Sequence, residues 1–400
     1  MDKVSEQYEA YPYPERNPAD ERKRLITGSP SHPLEMDHFL WGGKRDWSQP
    51  LRALVAGGGT GDALIQMAAV LTAAGRPYEI TYLDLSRASR SIAEERAKVR
   101  GLTGIRFETG SLLDATNYGT FDYIDCCGVL HHLPEPQAGF DALARALAPE
   151  GGIGLMVYAP YGRSGVYPLQ EAFGTMTEGM SPKVRLKTAK AVYEKLPDGH
   201  PFKRNPHLVD HEQSDAGFYD LLLHSQDRPY VIGDLIAALE AAGLAFVGAP
   251  QAGLYDPARF LPDGVTLPDG IDQAQRMALA ERLDGTIKTH VIYAAPKDRV
   301  IPVPGKDMAS VPHLKGVSGA DLSREVARKG EITIARGSEK TRRTISRDVA
   351  PLLAGIDGRK PLSALAQAAR LDPLAFNALW RPAERILVQA GILLYSRLLG

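Results

Sequence analysis

A run of apolar residues that leads straight into a cluster of glycines is where ligand chemistry is first expected in this sequence. The stretch LRALVAGGGTGD (51–62) predicts a buried strand followed by a tight loop. Glycines in such a loop let the backbone take up positive φ angles and approach a ligand closely. Loops of this kind hold NAD, nucleotide phosphates or S-adenosylmethionine (SAM), and the loop alone does not choose between them.

The spacing of the glycines fits two of these ligands poorly. A phosphate-binding P-loop has a lysine directly after its last glycine, whereas here Gly61 is followed by Asp62. The dinucleotide pattern GxGxxG is not met either, because Gly57, Gly59 and Gly61 occupy its first, third and fifth positions. SAM has no pyrophosphate and needs a close backbone approach to its methionine part, which these glycines permit. An NAD-dependent oxidoreductase remains the alternative enzyme.

Polar residues also follow the second and third predicted strands. Asp84 ends the strand EITYLD, where a carboxylate can accept both hydroxyls of a ribose of NAD or SAM. GSLLD (110–114) follows the third strand and places Ser111 and backbone amides where an adenine edge can be recognised. The carboxyl ends of parallel strands meet at one edge of a sheet, so these residues are expected to line one cleft. The predicted cofactor residues are Gly57, Gly59, Gly61, Asp84, Leu85, Ser111, Leu112 and Cys127.

A regular alternation of strands and helices must position this cleft. The patterns predict seven strands, namely LRALVA, EITYLD, IRFETG, FDYIDCCGV, GIGLMVY, LAFVG and KTHVIYAAP, with helices between most of them. Such an alternation predicts an α/β fold with a doubly wound, Rossmann-like sheet. The segment at about 160–230 interrupts it with two helical patterns and is expected to be a helical insertion.

The chain is expected to have three parts. Residues 1–45 form an aromatic N-terminal arm with the stretch QYEAYPYPERNP, and residues 46–298 form the sheet domain. Beyond a linker rich in Pro and Gly, residues 317–400 predict a small α+β module that looks like a winged helix. Residues 301–400 hold 16 Lys and Arg against 9 Asp and Glu, a local charge of +7, which supports a boundary near residue 300.

Taken in order along the chain, these motifs resemble the class I SAM-dependent methyltransferases. The residues that carry the resemblance are the glycine loop, Asp84, Ser111, the segment GVLHHLPEP and the final strand THVIYAAP, over roughly 45–160 and 230–296. The resemblance implies SAM as the cofactor and methyl transfer to a protein side chain or a small-molecule oxygen or nitrogen. The Pro-Tyr-Pro arm, the insertion and the C-terminal module look like a bacterial subgroup that includes rickettsial protein-lysine methyltransferases.

Two residues depart from the pattern of that family. The family commonly has an acidic residue two positions before the first glycine, where this chain has Val55. It also commonly has Asp after the third strand, where this chain has Ser111. Because Val55 offers no carboxylate, another group must meet the ammonium of the ligand, such as a carbonyl near Ala56 or a residue of the arm.

Three residues are candidates for the chemistry at the acceptor. His131 directly follows the fourth strand and is expected to line the acceptor pocket, and His224 in LLLHSQDRPY is a similar candidate for the base. Tyr13 belongs to an arm that is expected to close over the site and exclude water. The alternative is structural: the histidines pack at the sheet edge and the arm packs its rings on the domain. No metal is expected, because the histidine spacings match no metal site.

Charge and cysteine content restrict the partners and the compartment. The chain carries a net charge of −1 and has two cysteines, Cys126 and Cys127, which are adjacent and therefore poorly placed to pair. With no signal peptide and no long apolar run, a cytoplasmic protein with no membrane partner is expected. Nucleic acid is not an expected partner, and a homodimer is left open. The remaining alternative is a non-catalytic scaffold whose basic C-terminal module binds nucleic acid or an acidic protein.

Overall fold

A seven-stranded mixed sheet forms the centre of the protein in the computed structural model, which describes residues 3–336 and 339–400. Its strands are β1 (Leu51–Ala56), β2 (Tyr78–Asp84), β3 (Ile105–Thr109), β4 (Phe121–Cys127), β5 (Leu147–Tyr158), β6 (Leu244–Gly248) and β7 (Thr289–Pro296). They lie in the order β3-β2-β1-β4-β5-β7-β6, and β7 runs antiparallel to both of its neighbours. The strand order reverses between β1 and β4, and ligands of such sheets bind at the strand ends beside this switch point.

Apolar residues on both faces of the strands explain why the sheet is buried between two layers of helices. Along β1, Leu54 and Ala56 belong to one apolar core, whereas Ala53 and Val55 belong to the other. Successive side chains of a strand point to opposite faces, so a continuous apolar run fits a strand covered on both sides. The predicted seven-stranded, doubly wound Rossmann-like sheet is confirmed.

Helices cover the two faces of the sheet and fill the insertion. They are α1 (Lys3–Ala10), α2 (Pro33–Trp41), α3 (Asp62–Ala73), α4 (Arg87–Val99), α5 (Pro136–Arg145), α6 (Val166–Met176), α7 (Pro182–Tyr193), α8 (Asp210–Gln213), α9 (Asp215–Leu222), α10 (Ile232–Ala241) and α11 (Gln273–Asp284). Helices α6 to α9 lie in the predicted insertion, and α6, α7 and α9 share an apolar cluster around Phe173 and Leu222. None of the helices in the described ranges has both the length and the apolarity of a membrane span.

The C-terminal residues form a small module with its own apolar core. It contains β8 (Pro312–Leu314), α12 (Gly319–Lys329), β9 (Glu331–Arg336), β10 (Glu339–Thr344), α13 (Ala350–Ala354), α14 (Leu362–Ala368), α15 (Pro373–Gln389) and β11 (Leu393–Tyr395). The two strands predicted around RGSEK are present as β9 and β10, and residues 337–338 between them lie outside the described part of the chain. Trp380 is fully buried in this core. The winged-helix comparison remains a prediction.

The module is tied to the sheet domain through the buried side chain of Asp37 in α2. The Ser396 hydroxyl donates to Asp37 Oδ2 at 2.7 Å and the backbone N–H of Arg397 donates to the same oxygen at 3.0 Å. Lys315 of the module pairs with Glu35 of α2. Part of the positive charge of the module is therefore balanced within the chain.

Candidate active site

A cavity of about 480 Å³ lies between the glycine loop, the carboxyl ends of the strands and the N-terminal arm. Seven of the eight predicted cofactor residues line it, namely Gly57, Gly59, Asp84, Leu85, Ser111, Leu112 and Cys127. The eighth, Gly61, lies behind the wall at the start of α3, where a Cβ would come within 2.9 Å of the Ala93 Cβ. Gly61 therefore permits close packing of α3 on α4 rather than contact with a ligand.

The carboxylate of Asp84 holds the glycine loop in place. The backbone N–H of Gly59 donates to Asp84 Oδ2 at 2.7 Å, and that of Ser86 donates to Oδ1 at 2.8 Å. On the other side of the loop, the Tyr82 hydroxyl donates to the carbonyl of Gly59 at 2.6 Å. Burial raises the pKa of Asp84, although both N–H donors act to lower it. The loop and the end of β2 thus form one rigid wall of the cavity.

The N-terminal arm forms part of the wall of the cavity. Arg16 pairs with Asp62 at 2.6 Å, and the Thr60 hydroxyl donates to the carbonyl of Pro14 at 2.7 Å, so the arm is fastened to the glycine loop. Tyr8 and Tyr13 both line the cavity, so the predicted candidate Tyr13 does lie at the site.

A buried arginine connects the arm, the loop and α4. Arg96 is 1% exposed; its Nε donates to Glu21 of the arm at 2.8 Å, and its Nη1 donates to Asp62 at 2.7 Å. The same Nη1 donates to the carbonyl of Thr60 at 2.7 Å. An ordered arm is therefore part of the structure that shapes the glycine loop.

A chain of hydrogen bonds joins the arm to the insertion at the cavity. The backbone N–H of Gln226 donates to His224 Nδ1 at 3.1 Å, so the ring proton of His224 is on Nε2, which lies 3.3 Å from the Tyr8 oxygen. The Tyr8 hydroxyl then donates to Asp220 Oδ1 at 3.0 Å, and the Tyr158 hydroxyl donates to Oδ2 at 3.2 Å. Tyr8, Tyr158 and Asp220 all line the cavity.

The two adjacent histidines have different positions. His131 is fully buried, does not line the cavity, and has no hydrogen-bond partner for either ring nitrogen within the described ranges. Burial holds the pKa of His131 well below its usual range, so the ring is neutral. His132 lines the cavity instead and stacks on His224, with ring centroids 3.7 Å apart. The expectation that His131 lines the acceptor pocket is therefore wrong, because the turn after β4 directs its neighbour to the cavity.

Comparisons with known proteins agree with this geometry. A family model described as a methyltransferase domain matches residues 54–153. An uncharacterized protein of Synechococcus sp. is 32% identical over 296 residues, which is 72% of this chain and 69% of that protein. PKMT2 from Rickettsia typhi has a similar fold, with a TM-score of 0.63 at 16% identity over 94% of this chain and 77% of that one. PKMT2 in complex with AdoHcy gives a TM-score of 0.60 at 15% identity, over 91% and 75% of the two chains.

This chain belongs to the class I SAM-dependent methyltransferases. Its cofactor is SAM and its reaction is methyl transfer, so the oxidoreductase and scaffold alternatives are not retained. The lining of the cavity fits the cofactor. Gly57 and Gly59 let the loop pack tightly against Val129 and the Tyr13 carbonyl beside the cavity, and Asp84 offers a fixed carboxylate to the ribose hydroxyls.

The methyltransferase site contains residues that the sequence patterns did not single out. Asp220, Tyr158, Arg163 and Asp125 line the cavity but carry no recognisable motif. Tyr158 is the last residue of β5, and its position at a strand end is the signal that could have identified it. Asp220 lies in α9 of the insertion, and only tertiary packing brings it to the cavity.

His132, Asp220 and His224 lie close enough together to suggest a metal ion. The hydrogen bonds of His224 oppose this interpretation, because its Nδ1 accepts a backbone N–H and its Nε2 therefore carries the proton. A protonated ring nitrogen is a donor and has no lone pair for a metal. The cluster is better described as a hydrogen-bonded network.

The substitution Asp84→Asn tests the cofactor wall of the methyltransferase. The amide accepts at one atom only, so one of the two N–H donors loses its partner and the contact with the ribose weakens. We expect the affinity for S-adenosylhomocysteine to fall by about 10- to 100-fold, as for a hydrogen bond to a charged group. Titration calorimetry measures the change. Asp114→Asn, at an exposed residue outside the cavity lining, is the control, and an equal loss in both variants would contradict the assignment.

Proposed function

We propose that the methyl acceptor is the amine nitrogen of a lysine side chain in a protein, and that His132 accepts the proton that this amine must lose. The observation that carries the proposal is the composition of the cavity around Asp220. There the carboxylate of Asp220 lies among the rings of Tyr8, Tyr13 and Tyr158, and His132 is their neighbour.

A carboxylate among aromatic rings suits a group that arrives as a cation. Rings attract a cation on their faces, and the carboxylate adds a full opposite charge. The buried cation of this region, Arg163, is already balanced, because it pairs with Asp227 at 3.3 Å and stacks 3.6 Å above the Tyr158 ring. Burial raises the pKa of Asp220. A desolvated ammonium also loses its proton more easily than one in water, which prepares the amine for reaction.

His132 has the tautomer that a base requires. Its Nδ1 lies 2.8 Å from the carbonyl oxygen of Gln226, and a carbonyl only accepts, so Nδ1 carries the proton. Nε2 therefore has the lone pair, and no hydrogen bond occupies it within the described ranges. The backbone of the segment at 224–228 fixes the orientation of the His132 ring, which suits a base that accepts a proton at Nε2.

The reaction needs little else from the protein. Bound SAM supplies an electrophilic methyl carbon. His132 Nε2 takes the ammonium proton, and the freed nitrogen lone pair forms the new N–C bond as the S–C bond breaks and its electrons remain on sulfur. The cavity aligns the two groups and limits the access of water, which is the main contribution of an enzyme to such a displacement.

The comparisons support a protein acceptor by analogy of fold alone. The likeness to PKMT2 from Rickettsia typhi spans 94% of this chain, including the arm, the insertion and the C-terminal module. These are the parts by which the sequence resembles the rickettsial protein-lysine subgroup. A cytoplasmic location and a homodimer remain proposals, supported only by the unpaired cysteines Cys126 and Cys127 and by a basic module on an acidic domain.

Methyl transfer from radiolabelled SAM to matched peptide mixtures tests the acceptor. One mixture contains lysine at a fixed position among random residues, and the other contains norleucine there. We expect label in the lysine mixture only, recovered as methyl-lysine after acid hydrolysis. Label that is released by mild base, or that is equal in both mixtures, would show an ester or another acceptor and overturn the proposal.

The substitution His132→Asn tests the base. We expect kcat to fall by about 100-fold, the lower range for removal of a general base, with unchanged affinity for S-adenosylhomocysteine. His200→Asn, on the loop outside the cavity lining, should behave as wild type. An unaltered kcat in the His132 variant would exclude this role.

A further inference from the structure

Val55 leaves the cofactor site without the carboxylate that the family commonly has on β1, and the register of the sheet shows a replacement. Val55 of β1 is the registered partner of Asp125 of β4. Side chains of registered neighbours in parallel strands point to the same face of the sheet. Both residues line the cavity, beside Gly57 at the end of β1. A carboxylate therefore stands one strand away from the position where the family pattern has it.

The carboxyl group of Asp125 is buried and only partly satisfied. It is 1% exposed, and its Oδ2 accepts the hydroxyl of Tyr123 at 3.1 Å. Its Oδ1 is buried and accepts no hydrogen bond of good geometry in the described part of the chain, although the Ser31 hydroxyl lies near enough to act on the carboxyl group. A buried carboxylate oxygen without a partner is costly, so such an atom in a ligand cavity indicates a ligand that donates to it.

The cations of the cavity lining do not serve as that donor. Arg16 pairs with Asp62, Arg163 pairs with Asp227, and Lys288 Nζ donates to the carbonyl of His207 at 2.9 Å. The missing positive charge must then come from the ligand. The methionine part of SAM carries an ammonium, and the glycine loop beside Asp125 is where that part is expected.

We propose that Asp125 on β4 binds the ammonium of the methionine part of SAM, in place of the acidic residue that Val55 replaces on β1. The proposal rests on SAM as the methyl donor and is independent of the acceptor. The ammonium donates to the free Oδ1, while Tyr123 keeps Oδ2 oriented. The charge thus stays on the same face of the sheet beside the glycine loop, on the neighbouring strand instead of β1.

Titration of Asp125 gives a second readout. Burial raises the pKa of this carboxyl to about 7, although the hydroxyls of Ser31 and Tyr123 act to lower it. An ammonium bound to Oδ1 favours the ionised form, so the complex forms with release of a proton from the fraction of Asp125 that is protonated below pH 7. The titratable groups that interact with it are Tyr123, Cys126 and Cys127 on β4 and Tyr293 on β7. Glu35, paired with Lys315, and Asp62, paired with Arg16, interact with Tyr123 and Cys127 in turn.

Two ligands distinguish the contribution of the ammonium to binding from that of the rest of the cofactor. S-adenosylhomocysteine has the ammonium but no sulfonium, and 5′-methylthioadenosine lacks the amino acid part altogether. We expect Asp125→Asn to bind S-adenosylhomocysteine about 30-fold more weakly or worse, as when one partner of a buried charge pair is removed. Its affinity for 5′-methylthioadenosine should stay that of wild type, which also shows that the variant is folded. An unchanged affinity for S-adenosylhomocysteine, or equal losses for both ligands, overturns the proposal.

Exchanging Val55 and Asp125 tests whether a carboxylate on β1 restores binding. In the double variant Val55→Asp with Asp125→Val the carboxylate returns to β1, and we expect it to regain most of the affinity for S-adenosylhomocysteine. Calorimetry at pH 6.5, just below the raised pKa of Asp125, in two buffers of different ionisation enthalpy should show proton release for wild type and not for Asp125→Asn. A double variant that binds 5′-methylthioadenosine but regains no affinity overturns the proposal. Wild type that binds neither ligand would instead refute SAM as the donor, and the proposal with it.

Discussion

Replacing Gly57 by alanine is expected to abolish SAM binding and, with it, methyl transfer. Gly57 has φ of 71°, and a Cβ there would lie 2.4 Å from Val129 Cγ2, well inside contact distance. Val129 itself lines the cavity, and its branched side chain has little freedom to move elsewhere. The added methyl group therefore drives Val129 into the space of the cofactor. Calorimetry with millimolar S-adenosylhomocysteine should detect no binding.

Gly75→Ala is the matched control for this experiment. Gly75 has a similar φ of 65°, but a Cβ there would meet nothing within 4 Å. Both variants carry the cost of a left-handed alanine, about 1–2 kcal/mol in the free energy of unfolding. The control should therefore lose stability and keep SAM binding. If both variants bind SAM, or both lose it, the clash with Val129 is not the cause.

Replacing Arg96 by methionine is expected to lower the free energy of unfolding by about 3–5 kcal/mol, the usual cost of removing one partner from a buried ion pair. The methionine leaves Glu21, which is 4% exposed in its side chain, with Arg100 as its remaining partner. It also leaves the Thr60 carbonyl without a donor from this side chain. Urea denaturation followed by circular dichroism measures the change.

Lys98→Met, on the same helix, provides the comparison. Lys98 pairs with Glu95, but the two side chains are 77% and 55% exposed, so the change should stay within about 0.5 kcal/mol. Arg96→Met should also make the arm near Glu21 more sensitive to proteolysis under native conditions, because the arm loses its buried anchor. A loss in Arg96→Met no larger than in Lys98→Met would show that the buried network does not hold the arm.

The strands and the glycine loop could be predicted because their signals are local. The run LRALVA is apolar at successive positions since β1 is covered on both faces, and the glycines that follow mark the loop directly. Helix α2, in contrast, was not predicted, because its sequence lacks a local signal of this kind. Seven of its nine residues are buried, so it shows no periodic polar face, and a charged residue, Asp37, is buried within it.

The proposed acceptor region could not be predicted from the sequence, because it is built from distant segments. Tyr8 comes from the arm, Asp220 from the insertion and Tyr158 from the end of β5, and 212 residues separate the first two. The choice between His131 and His132 also depended on the turn after β4, and the residue types alone do not encode its direction. The pairing of Val55 with Asp125 is a property of strand register, which appears only once the sheet is assembled.

The position of α1 has a consequence for the order of events during turnover. This helix supplies Tyr8 to the acceptor end, while the residues just after it lie over the glycine loop that holds the donor. If the arm moves as one body to let the nucleoside leave or enter, it also takes Tyr8 away from Asp220. Donor exchange and the proposed acceptor site would then exclude each other. The catalyst is complete only after the donor is enclosed, which favours a compulsory sequence in which SAM is bound first and its demethylated product leaves last.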